Sequence, residues 1–139
     1  MKVLFDTNII LDVLLDRKPF AEHASFLLSK VERSEINGFI CATTVTTIHY
    51  LLSKHLDKEK AIISISSIVG LFEVASVSRI VIESALKSKF TDFEDSVLHE
   101  SARHAGVEYI ITRNIKDFKK SKIPVFTPTE FLSILESLA

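Results

Sequence analysis

Three groups of acidic residues stand where an α/β chain would turn from strand to helix. Asp6 ends the apolar run Lys2-Val3-Leu4-Phe5. Asp92, Glu94 and Asp95 open a late helical stretch, and Asp117 follows the last strong apolar run. In a parallel sheet, ligands bind outside the carboxyl ends of the strands. Carboxylates gathered there from distant sequence form an all-oxygen cluster, which is the donor set of a hard divalent cation. The residue types and their spacing therefore point to metal-assisted chemistry at one edge of a sheet.

Asp6 leads this set. An acid closing an apolar strand must be solvated, paired or metal-bound. It can equally do no more than cap the next helix. Asn8 is expected to point into the same cleft, and Asp12 reads as a solvated helix residue or as support for the site. Thr91 with Glu94 fits a capping box, so part of the acidic run is expected to be structural. Asp92 and Asp95 are three apart and can share a face. Three acids in four residues exceed what capping needs, which favours a functional Asp95 with Asp92 beside it. Thr112, Asn114 and Asp117 offer a hydroxyl, an amide and an acid just past a buried strand. Arg113, Lys116, Lys119, Lys120 and Lys122 form the densest basic stretch. Such a run is either a solvated face or a cradle for a phosphate backbone.

Other chemistries find little support. The histidines at 23, 49, 55, 99 and 104 show no zinc spacing and are expected at or near the surface. There is no Gly-rich phosphate loop and no serine in a nucleophile elbow. Tyr50 and Tyr109 read as core or cleft edge. Cys41 is the single cysteine. It reads as core filler, excludes an intramolecular disulfide and suggests a reducing, cytoplasmic compartment. No apolar stretch has transmembrane length, and the N-terminus does not read as a signal peptide, so no membrane association is expected. The net charge of −1 exerts no global pull on nucleic acid. Any such binding needs a local patch.

The elements that must position these residues follow from periodicity and punctuation. The 139 residues, 47% of them hydrophobic, suit one domain over 1–139 with a substantial core. Strands are expected at 2–6, 39–42, 72–75, 107–112 and 124–126. Helices are expected at 9–15, 20–33, from 43 to about 56, 58–69, 78–89, 91–105 and from 127 onward. Asn37-Gly38 reads as a turn, Gly70 and Gly106 as helix stops, and Pro124 as an edge-strand residue. Short β-branched runs alternating with helices predict an α/β fold with a mostly parallel sheet covered on both faces. Right-handed crossovers then bring Asp6, Thr43 and Thr112-Arg113-Asn114 to one cleft.

The chain resembles the PIN domain family, and within it the small VapC-like toxin type. Three pieces carry the likeness, in order and at strand ends. They are Phe5-Asp6-Thr7-Asn8-Ile9-Ile10-Leu11-Asp12, Asp92-Phe93-Glu94-Asp95, and Ile111-Thr112-Arg113-Asn114-Ile115-Lys116-Asp117-Phe118. The resemblance implies a three-layer α/β/α fold and an endoribonuclease dependent on Mg²⁺ or Mn²⁺. It implies that Asp6, Asp95 and Asp117 are catalytic, with metal held by Asp6, Asp95 and Asp92. Asn8, Thr47, Thr112 and Asn114 would support the site, and Arg113, Lys116 and Lys119 would bind RNA. It further implies a protein antitoxin and a homodimer. The chain departs from the family in the helix after the second strand. Thr43-Thr44-Val45-Thr46-Thr47-Ile48 holds no acid, and Thr47 takes the place of the usual glutamate.

Three functions compete at this point. The first is the metal-dependent ribonuclease, in which the cation activates water against a phosphodiester. The second is a PIN domain that binds RNA or a protein without cleaving, which the absent glutamate favours. The third is a phosphotransfer or phosphatase domain of haloacid dehalogenase type with Asp6 as nucleophile. That site wants a second acid two residues on, where this chain has Asn8.

Overall fold

A computed structural model describes residues 1–139. Five strands form one sheet: β1 (Lys2–Phe5), β2 (Asn37–Cys41), β3 (Glu73–Ala75), β4 (Tyr109–Ile111) and β5 (Val125–Phe126). Their order is β3-β2-β1-β4-β5, and every pairing is parallel. The connecting helices are α1 (Thr7–Leu14), α2 (Ala21–Glu32), α3 (Ala42–His55), α4 (Lys58–Leu71), α5 (Arg79–Lys87), α6 (Phe93–His104) and α7 (Pro128–Leu138). A short 3₁₀ turn covers Ile115–Phe118.

Alternation along β1 divides the core. Val3 and Phe5 join Ile40 and Ile111 beneath α1, α2 and α3. Leu4 joins Phe39, Cys41 and Ile110 on the opposite face, covered by Leu98 and Ala102 of α6. Both faces are thus sealed by helices, giving the three-layer α/β/α arrangement. The three central strands β1, β2 and β4 are short and largely buried on both faces, which is why they read as apolar runs. No helix is long and apolar enough to cross a membrane.

The register aligns the carboxyl ends. Phe5 pairs with Ile111, Cys41 with Ala75, and Ile111 with Phe126. The residue after each strand therefore reaches the same edge. Strand order runs outward in both directions from β1, so the switch point of the topology lies between β1 and β4. That is where an open α/β sheet leaves a crevice.

Several local expectations are corrected. Asn37 and Gly38 lie inside β2 rather than in a turn. A Cβ at Gly38 would stand 2.7 Å from the Phe72 ring and 2.9 Å from Val31, so this glycine permits a close approach of core side chains. Gly70 does not stop α4, which runs through it to Leu71. Gly106, at φ 74°, does terminate α6 in the left-handed conformation that favours glycine. The residue at the start of α6 is Asp92, whose carboxylate accepts the Asp95 N–H at 2.9 Å, so the Thr91–Glu94 capping box does not form. A capping box does open α7, between Thr127 and Glu130. Tyr50 is exposed rather than in the core, whereas His99 is 2% exposed rather than at the surface.

A candidate active site at the switch point

Asp6 leaves β1 and caps α1. Its Oδ1 accepts the Thr7 N–H at 2.8 Å, and its Oδ2 accepts the Thr112 hydroxyl at 2.7 Å. The two residues are 106 positions apart, yet Thr112 follows β4 as Asp6 follows β1. The Asp6 backbone N–H donates to Ile111 O at 2.9 Å, which fixes the same junction. Asp6 is buried and Thr112 is fully buried. The capping role and the site role therefore coexist in one carboxylate, each using one oxygen.

Other acids close in on Asp6. Burial pushes its carboxyl up from the ordinary range, its hydrogen bonds oppose that, and Glu94 and Asp117 add repulsion. Asp95 is pushed up to about 7, first by burial and then by repulsion from Asp6, Asp92, Asp117 and Glu94. These mutual effects place five carboxylates from three distant segments at one cleft. Sequence reasoning passed over Glu94 as a capping partner. In the structure Glu94 is exposed and its charge acts on Asp6, while Asp92 takes the cap.

The supporting residues divide. The backbone N–H of Asn114 donates to Thr112 Oγ1 at 3.1 Å, and its side chain is exposed. Asp117 lies exposed on the 3₁₀ turn. From α3, Thr44 is buried and its hydroxyl meets that of Thr7 at 2.9 Å. Thr47 is half-buried three residues on, on the same flank of the helix. Asn8 is engaged with Arg17. Its Oδ1 accepts from Arg17 Nη2 at 3.3 Å.

Asp12 is fully buried, not solvated. Arg17 Nε stands 2.9 Å from one oxygen, and Arg113 Nε stands 3.0 Å from the other. The distances are those of close ion pairs, although the N–H groups are not aimed squarely at the oxygens. Burial pushes this carboxyl up, and the guanidiniums of Arg113 and Arg17 pull it back. The Arg113 head also lies 3.9 Å above the Phe20 ring. Arg113 is therefore a latch joining α1, the start of α2 and the loop after β4 through its Nε and the face of its guanidinium. Lys116 and Lys119 are exposed beside Asp117.

Whether the cluster suits a divalent cation follows from its donors. All are carboxylate or hydroxyl oxygens, and they repel one another in a partly dry cleft. No three Asp, Glu, His or Cys side chains close on one ion-sized point. That excludes a dedicated all-protein cage. It fits Mg²⁺, which keeps several waters and is held by one or two carboxylates with substrate phosphates.

Comparison with known proteins identifies relatives of the whole fold. A family model described as a PIN domain matches residues 2–116. Ribonuclease VapC1 of Aquifex aeolicus is 27% identical over 135 residues, covering 94% of this chain and 92% of that protein. Among solved structures, a toxin-antitoxin complex from Klebsiella pneumoniae aligns at TM-score 0.68 and 26% identity, over 91% of this chain and 97% of that one. DNA-bound VapBC from Salmonella typhimurium aligns at TM-score 0.70 and 18% identity, over 92% and 98%.

Proposed function

The chain belongs to the PIN domain family, and from that premise we propose that it is a metal-dependent endoribonuclease, the toxin of a toxin–antitoxin pair. One observation supports the reading above all others. Asp6, Glu94, Asp95 and Asp117 act on one another at the switch-point crevice, where burial first and their mutual repulsion second push Asp95 up to about 7. Stable folding alone gives no reason to gather like charges there. A bound cation offsets that repulsion, and it would be held by Asp6 and Asp95, with Asp117 and Glu94 acting directly or through water. When bound, such an ion polarises the phosphoryl group and lowers the pKa of an attacking water. Thr112 fixes the Asp6 carboxylate so that its rotamer does not have to be selected during the reaction. Asp95 exchanges its proton near neutrality, so cation binding is coupled to proton release at its carboxylate. Asn114 orients water or phosphate at the rim, and Lys116 and Lys119 attract the strand.

The proposed partners are RNA as substrate, a protein antitoxin and a second copy of the chain, in the cytoplasm. The antitoxin rests on likeness to VapC1 and to the toxin-antitoxin complexes. A second reading, an RNA- or protein-binding PIN domain without cleavage, draws on Thr47 standing where the family places glutamate. Incubating purified protein with structured RNA in Mn²⁺ and in EDTA separates the two. Cleavage in Mn²⁺ that EDTA and Asp6→Asn both abolish is the expected result. Cleavage that survives either treatment refutes the metal reading, and RNA binding with no cleavage favours the second reading.

A further inference from the structure

A second feature, opposite in charge, lies beside the acidic cleft. Asp95, His99 and Arg103 recur every four residues along one flank of α6. A cavity of about 500 Å³ opens on that flank. His99 and Arg103 line it, with Lys87 and Lys89 from the end of α5 and beyond, and Lys120 and Lys122 from the loop after Asp117. Glu100 also borders it, but both its oxygens are taken by Arg103 Nη1, at 3.1 and 3.2 Å. None of the four lysines takes part in an ion pair. The chain as a whole carries a charge of −1. Four unpaired ammonium groups drawn from two distant segments around one concavity focus a positive field, and such a field binds anions.

His99 is the independent observation. Its ring is 2% exposed and stacks on Phe90 with centroids 4.7 Å apart. Its Nε2 accepts the Lys122 N–H at 3.0 Å. That acceptor role assigns the ring proton to Nδ1, which has no hydrogen-bond partner and lies 3.8 Å from Glu100 Oε1. Burial pushes this imidazole down, so it offers a neutral N–H. A buried donor without a partner is uncommon in a folded chain and calls for a ligand or water.

We propose that this cavity is a phosphate subsite that holds a backbone phosphate of the RNA strand running out of the acidic cleft, with the four lysine ammonium groups as donors and His99 in its wall. The choice of strand rests on the ribonuclease reading above. Adjacency supports it. Phe118 follows Asp117 and packs edge-on to Phe90 at 5.7 Å, and Phe90 stacks on His99. One row of aromatic rings thus joins the two sites. Asp95 and His99 are one turn apart, about 6 Å along the helix axis. The acidic cleft repels phosphates until a cation is present, whereas the basic cavity attracts them at once and would set the direction of the strand.

The test follows the His99 side-chain signal by NMR in labelled protein. Inorganic phosphate is titrated first, then a single-stranded RNA blocked against cleavage by 2′-O-methylation. Wild type is compared with Lys87→Ala/Lys122→Ala and Lys89→Ala/Lys120→Ala. Both ligands are expected to move the His99 signal in wild type. Each double variant is expected to bind RNA about tenfold more weakly and to lose roughly 0.7 of the log–log salt slope, the share of one single-strand phosphate contact. RNA that binds without moving His99, or a slope unchanged in both variants, overturns the proposal. A response to phosphate but not to bound RNA overturns the strand and assigns the cavity to free phosphate. If wild type binds no RNA, the ribonuclease reading fails. The phosphate titration then decides the cavity alone: a response supports an anion site, and none ends it.

Discussion

Asp6 and Asp12 are both buried carboxylates, six residues apart at the two ends of one short helix. Their surroundings are opposite. Asp6 faces Glu94, Asp95 and Asp117, with only a threonine hydroxyl and an N–H in compensation. Asp12 is held between two guanidiniums at 2.9 and 3.0 Å. Burial alone therefore does not mark a functional acid. The sign of the neighbouring charge does: a compensated acid holds the fold together, and an uncompensated one is held there by the fold.

The sharpest way to break this contrast is to remove each acid and watch stability move in opposite directions. Asp12→Ala leaves two guanidiniums without their anion. Breaking a buried pair costs about 3–5 kcal/mol. The lower figure applies here, because Arg17 and Arg113 keep 36% and 24% of their side chains exposed. The melting temperature should fall by roughly 10 °C for a chain of this size. A fall of only a degree or two would mean that the latch is ornamental.

Asp6→Asn should do the reverse. The amide still accepts the Thr112 hydroxyl, and one repelled charge disappears. Cleavage in Mn²⁺ should drop by at least about a hundredfold, the scale of losing one charge-stabilising group at a reacting centre. The melting temperature should hold or rise. A destabilised Asp6→Asn protein would place Asp6 in the same structural class as Asp12.

Thr47→Glu sharpens the comparison from the other side by adding an acid to the crowded cleft. Divalent affinity follows ligand charge count, so calorimetry should show Mn²⁺ binding roughly tenfold tighter. Asp92→Asn should change it less, since the Asp92 carboxylate is occupied with the Asp95 N–H. Unchanged affinity in Thr47→Glu would show that this flank of α3 does not reach the ion.

The smallest effect is on pH dependence. Asp95 is raised to about 7 from 3.8, so between those values the folded chain holds a proton that the unfolded chain has released. The Asp95 contribution to stability of the metal-free protein should therefore fall as pH rises from about 4 to 7, against the opposite slope of the downward-shifted His99. Thermal melts across that range in EDTA should show the decline as the difference between wild type and Asp95→Asn, and Mn²⁺ should oppose it near pH 7. A difference that rises through the window would reverse the sign assigned to this cluster.

Much of the site was legible because topology does the work. Asp6, Thr112 and Asp117 could be placed from the rule that parallel strands end on one edge, and that rule needs only strand boundaries. Residues whose roles depend on distant partners could not. Asp12 reads as a solvated helical acid because Arg113, its partner, is 101 positions away. Gly38 reads as a turn because the Phe72 ring that crowds it belongs to another element. At the start of α6 two caps were available, Thr91 with Glu94 or Asp92 alone, and local pattern does not rank them. The outcome mattered, because the cap that formed occupies Asp92 and leaves Glu94 without a capping role.

The Asp6–Thr112 hydrogen bond, spanning 106 positions, also bears on how the protein is made. Synthesis delivers Asp6 106 residues ahead of Thr112, with Asn114 and Asp117 following. β1 lies in the middle of the sheet, and its second neighbour, β4, is not translated until residues 109–111. A nascent chain still attached to the ribosome has one lone acid at the edge of a half-finished sheet and no crevice beside it. Chains emerge at about 5–20 residues per second, so Asp6 waits on the order of 5–20 s for its hydrogen-bond partner. The cleft therefore carries its own delay: its acids stay apart until the second half of the sheet has been made.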